Sequence, residues 1–101
     1  MLTRNEVSRD EVLLSVEGPL DGEPANEFQA QLEELTEGSY RTITLDLTKV
    51  ASINSSSIGR ILLCRKRLAE QGRTIRIDGC SDSLYSTFEL IKFDKLIPIK
   101  R

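Results

Sequence analysis

The chain has 101 residues, 39% of them apolar and 30% charged, with a formal net charge of −2. That balance belongs to one folded globular domain, residues 1–101, and no apolar run approaches the roughly 20 residues of a membrane span, so no direct membrane insertion is expected. Histidine is absent, which removes the commonest general base and the usual nitrogen ligand for zinc or copper; no catalytic residue, metal site or cofactor is expected.

The predicted elements follow in order. Leu2 to Ser8 is a strand candidate, and Arg9-Asp10-Glu11 turns it into a second strand where Val12, Leu14 and Val16 alternate with Leu13, Ser15 and Glu17. Gly18-Pro19 stops that strand, because proline cannot donate to a ladder. Pro24 suits the first turn of a helix. Ala25, Phe28, Leu32 and Leu35 then recur at helical spacing, Glu27, Glu33 and Glu34 take the other faces, and Gly38 caps the end. Thr42 to Leu47 is a strand with Ile43, Leu45 and Leu47 on one side. A second helix opens at Ile58, carries Ile61, Leu62, Leu68 and Ala69 along its apolar stripe, and stops at Gly72.

Thr74 to Asp78 is the next strand, with Ile75 and Ile77 on one side. Ser81 or Asp82 caps a third helix whose Leu84, Tyr85, Phe88 and Ile91 keep the same spacing. Leu96 to Ile99 is a final short strand, and Pro98 suits a sheet edge. Strands alternating with helices predict parallel pairing through helical crossovers, to which the first hairpin adds an antiparallel pair. The fold class is therefore α/β: a mixed, mostly parallel sheet with an N-terminal hairpin and helices packed against it.

Charge is unevenly spread. Residues 1–50 carry 11 acids against 4 bases, and residues 51–101 carry 5 against 10. Such asymmetry can mark a partner surface, and its plain reading is two solvated helices of opposite sign. An acidic pI near 5.2 and the absence of tryptophan argue against nucleic acid as a partner. Cys64 and Cys80 lack metal spacing and read as small apolar side chains. The N-terminus has neither the basic start nor the apolar run of a signal peptide, so a cytoplasmic address is expected. Gly18, Gly22, Gly59 and Gly72 form no phosphate-cradling loop, which leaves a nucleotide-binding or catalytic domain without support.

One segment stands out. Ser55, Ser56 and Ser57 run consecutively between the Thr42–Leu47 strand and the following helix. In open α/β sheets, functional surface gathers at strand C-termini and the helix starts that follow. Hydroxyls there face unpaired N–H groups and the positive end of the helix dipole, a setting that accepts a phosphoryl group. Capping of the helix by Asn54 or Ser55 accounts for the same residue types. Gly59, inside the helix, is expected to pack closely against the sheet.

The stretch Asn54-Ser55-Ser56-Ser57-Ile58-Gly59 resembles the STAS family, shared by sulphate transporters and anti-sigma factor antagonists, whose motif there reads Asp-Ser-Ser-Gly-(Leu/Ile)-Gly. Leu45-Asp46-Leu47 with Val50 and Ile53, Gly18-Pro19-Leu20-Asp21, and the Phe88, Asp94, Leu96 and Ile97 ending extend the resemblance over nearly the whole chain. The resemblance implies a regulatory binding module in a partner-switching pathway, not an enzyme. It makes Ser56 the phosphoacceptor and Asn54, Ser55, Ser57, Ile58 and Arg60 partner-binding residues. The implied partners are an anti-sigma factor or serine kinase of the histidine-kinase-like ATPase type, and a phosphatase. The resemblance also implies an alternative for this chain: a non-phosphorylated STAS subunit of a membrane transport assembly, such as the partner of a lipid-transport ATPase. Two departures matter: Asn54 stands where the family has aspartate, removing a charge beside the acceptor, and Ser57 stands where it has glycine.

Overall fold

The computed structural model describes residues Met1–Arg101. Its elements are β1 (Leu2–Glu6), β2 (Glu11–Glu17), α1 (Gly22–Glu37), β3 (Thr42–Lys49), α2 (Ser55–Glu70), β4 (Thr74–Cys80), α3 (Asp82–Leu90) and β5 (Ile99–Lys100). The five strands form one sheet in sequence order, β1 antiparallel to β2 and every later pair parallel. Parallel crossovers are right-handed, and here each steps to the next strand in the same direction. All three helices therefore lie on one face of the sheet.

Side-chain alternation follows from that placement. Val12, Leu14, Val16, Ile43, Leu45, Leu47, Ile75 and Ile77 are buried beneath the helices. They meet Phe28, Leu32 and Leu35 of α1, Ile61, Cys64 and Leu68 of α2, and Leu84 and Phe88 of α3. The opposite face is open and polar. On it Glu11 accepts hydrogen bonds from Thr44 Oγ1 at 2.9 Å and Arg76 Nη2 at 3.2 Å.

Several element ends differ from the sequence expectation, those of the C-terminal part most. The final strand is only Ile99–Lys100; Phe93–Lys95 forms a short 3-10 turn before it. Phe93 is buried and stacks on Phe88 with ring centroids 4.6 Å apart. That aromatic pair supplies the apolar anchor expected of Ile91, which instead ends α3 with 49% exposure. Cys80 lies at the end of β4 rather than after it. Gly79 beside it has φ +108°, and a Cβ there would lie 2.8 Å from Asp46 Oδ1, so only glycine fits where β3 and β4 shift register.

Arg73, just before β4, closes the other end of α1. Its guanidinium donates to the carbonyls of Tyr40 at 2.6 Å, Thr36 at 2.8 Å and Leu35 at 3.1 Å. The last turn of α1 holds no basic residue, so Arg73 is the cation at its negative end.

Candidate functional site: the serine turn of α2

The serine run is held at the carboxyl end of the sheet by backbone pairing that continues past the strands. Leu20 N–H donates to Ser52 O and Asn54 N–H donates to Leu20 O, each at 2.9 Å. The segments leading into α1 and α2 are thereby tied side by side. From the other flank, Ser81 Oγ donates to Val50 O at 2.8 Å while its own oxygen caps α3. The residues before the serines are thus fixed by two neighbouring helix starts.

Asn54 then acts as the N-cap. Its Oδ1 accepts the Ser57 N–H at 2.9 Å and the Ser56 hydroxyl at 3.3 Å. Helix α2 consequently begins at Ser55, not at the expected Ile58, and the three serines form its first turn. The reason is local: an asparagine cap that satisfies the third helical N–H makes the intervening residues helical.

The turn sorts its members by direction. Ser55 and Ser56 are exposed, whereas Ser57 is fully buried and faces α1. Gln29 of α1, which carried no signal in the sequence, reaches both hydroxyls. Its Nε2 donates to Ser56 Oγ at 3.1 Å and to Ser57 Oγ at 3.3 Å. Asn54, Ile58 and Arg60 are half-buried around the turn. Arg60 Nη1 sits 3.8 Å from Glu33 Oε2 on α1. Gly59 is exposed, with no heavy atom within 4 Å of where its Cβ would stand, which overturns the expectation of close packing against the sheet.

The charge asymmetry also takes a spatial form. Helix α1 carries Glu23, Glu27, Glu33, Glu34 and Glu37 and no base, while α2 carries Arg60, Arg65, Lys66 and Arg67 against Glu70. The two helices are packed neighbours, so opposite signs meet along their seam. The linear sequence separates these charges by about thirty positions and only the crossover brings them together.

Chemically, Ser56 is an exposed hydroxyl with its oxygen held from two sides by neutral amides. Neither Asn54 nor Gln29 can take its proton, so the hydroxyl is not activated as a nucleophile from within the chain. The turn lies outside the molecule's concavities, such as the one of about 310 Å³ lined by Thr3, Ser15, Asp46 and Lys49 on the open sheet face. None of the residues Asn54 to Arg60 lines those concavities.

A family model of the STAS domain matches residues 3–101. The chain belongs to the STAS domain family. Among solved structures, this STAS chain is similar to the anti-sigma factor antagonist SpoIIAA in its unphosphorylated form, with TM-score 0.84, 17% identity, and coverage of 100% of this chain and 89% of that one. It is also similar to the Bacillus cell fate determinant SpoIIAA in the phosphorylated form, with TM-score 0.77, 17% identity, and coverage of 100% and 92%. A sulfate transporter family protein from Wolinella succinogenes aligns with TM-score 0.72, 16% identity, and coverage of 90% and 74%. The five-stranded sheet with one antiparallel pair and three helices is the STAS fold. No helix is long and apolar enough to cross a membrane.

Proposed function

We propose that this STAS domain is a cytoplasmic protein-binding switch, an anti-sigma factor antagonist in a partner-switching pathway, with Ser56 as its phosphoacceptor. The observation that carries the reading is the exposed Ser56 hydroxyl on the first turn of α2, ringed by Ser55, Asn54, Ile58, Gly59 and Arg60. The similarity to an antagonist solved in both phosphorylated and unphosphorylated forms supports it.

In this reading the unphosphorylated turn packs against an anti-sigma factor that doubles as the serine kinase. Phosphoryl transfer forms a bond from Ser56 Oγ to the γ-phosphorus of ATP and breaks the bond to the bridging oxygen, releasing ADP. The hydroxyl proton passes to a base on the kinase, because Asn54 and Gln29 offer none. About 1.5–2 added negative charges at the centre of the contact then oppose rebinding, while the helix start tolerates them within the fold. A phosphatase resets the turn. The buried Ser57 acts through the cap and Gln29, not by touching the partner.

The test is to incubate the protein with ATP and cognate serine kinases and to map phosphate by mass spectrometry. Modification at Ser56 that weakens partner binding supports the switch. An unmodified Ser56, together with full partner binding by Ser56→Asp, discards it. A second reading, a non-phosphorylated subunit of a membrane transport assembly, draws on Asn54 in place of aspartate and on the similarity to a sulfate transporter family protein. Capture of transporter subunits by both the parent and Ser56→Asp would select it.

A further inference from the structure

We propose that Arg60 is the counter-ion of phosphorylated Ser56, drawn away from Glu33, with the Gln29 amide as a second donor. Phosphorylation then rearranges the seam between α1 and α2 as well as the serine turn. The inference rests on the reading of Ser56 as a phosphoacceptor and concerns what the phosphoryl group does once attached.

Three observations converge. First, Arg60 lies one turn beyond Ser56 on α2, and residues at that spacing share a helix face with Cβ atoms about 5–6 Å apart. Second, Arg60 is weakly engaged. Its Nη1 is 3.8 Å from Glu33 Oε2, beyond hydrogen-bond length, and the two side chains are 33% and 51% exposed. Pairs of this kind contribute little and exchange partners readily. Third, Gln29 Nε2 already lies 3.1 Å from Ser56 Oγ, so an amide donor is aimed at the oxygen that would carry the phosphorus.

A phosphoryl group offers three strong acceptor oxygens and about 1.5–2 negative charges. Arginine matches such a group with paired N–H donors, whereas its present partner accepts at most one long contact. The phosphoryl group therefore outcompetes Glu33 for Arg60. Asn54 favours the same outcome. Its neutral Oδ1 lies 3.3 Å from Ser56 Oγ, where an aspartate would place a like charge beside the phosphate. The result is a rewired patch: Arg60 turns toward α2's own first turn, and Glu33 is left without its cation on the surface of α1. A partner spanning both helices meets two changes in charge, at Ser56 and at Glu33.

The experiment uses the full chain with phosphoserine incorporated at position 56 during translation, so no kinase is needed. Phosphorus NMR follows the second ionisation of the phosphate against pH. The expected value in the parent lies below the ordinary one of about 6, because a nearby cation favours the dianion. Arg60→Gln should raise it by roughly half a unit or more, and Glu33→Gln should not raise it. Arg60 is half-buried and Glu33 exposed, and circular dichroism checks that each variant is folded. An unchanged titration in Arg60→Gln overturns the proposal. So does a rise of equal size in Glu33→Gln, which would signal a general change of the seam. A shifted titration combined with a Ser56 that no cognate kinase modifies would discard the switch and retain the ion pair, so the two failures read differently.

Discussion

Replacing Gly59 with alanine should stabilise the protein and weaken its binding to a partner. Gly59 sits in the second turn of α2, is exposed, and has no heavy atom within 4 Å of the position an added methyl would take. Its backbone is not in the left-handed region, so alanine meets neither a clash nor strain. The gain comes from helix propensity, where glycine is about 0.8–1.0 kcal/mol worse than alanine, largely through the entropy of the unfolded chain. For a domain of this size about 1 kcal/mol moves the melting temperature by roughly 4–8 °C. Calorimetry on parent and Gly59→Ala at matched pH should show a rise of about 3–8 °C. In the proposed switch Gly59 lies beside the contact surface around Ser56, where the lack of a side chain admits close approach. A methyl group forced into a packed interface costs about 1–3 kcal/mol, so partner affinity should fall by roughly fivefold to over a hundredfold. A melting temperature equal to or below the parent's would refute the reasoning, because it would mean that the glycine serves the fold itself.

The remaining predictions concern the supports of the site. Asn54→Ala removes the cap of α2 and should cost about 1 kcal/mol in urea unfolding, while Asn54→Asp should keep the cap and the stability; equal loss in both would argue against capping. Arg73→Met strips the donors from the carbonyls of Leu35, Thr36 and Tyr40 and should cost about 2–3 kcal/mol, with Arg73→Lys recovering only part. Burial pushes the Cys80 thiol up to about 11. The unfolded chain therefore loses that proton first as pH rises, and this stabilising contribution, complete below the ordinary thiol range, is lost progressively up to pH about 11. Thermal melts of parent and Cys80→Ala across that range should show a shallower alkaline decline in the variant; parallel curves would contradict the assignment.

Much of the fold was legible in the chain. Alternation in Val12 to Val16 and Ile43 to Leu47, the helical spacing of Phe28, Leu32 and Leu35, and the order of strands and helices were enough to specify a mixed sheet with a first hairpin. These signals are local, since period and turn chemistry act over a few residues. The C-terminal segment was less legible because Phe93, not Ile91, found the aromatic partner, and the last strand, preceded by a short 3-10 turn, was pushed to Ile99–Lys100. Propensity there is overridden by a packing contact that periodicity does not encode.

The site divides along the same line. The serine run, its place at a strand-to-helix junction and its resemblance to a known motif belong to the sequence alone, as does the missing charge at Asn54. Only the tertiary structure decided which serines face out: Ser55 and Ser56 are exposed and Ser57 is buried, because α1, through Gln29, covers the side of the turn that Ser57 occupies. It also decided that Gln29 and Glu33 belong to the same surface as Ser56 and Arg60. Those pairs are 27 residues apart in the chain and meet through the packing of α1 on α2. A crossover carries no mark of such contacts in either segment by itself, and the physics that joins them begins only when both helices settle on one face of the sheet.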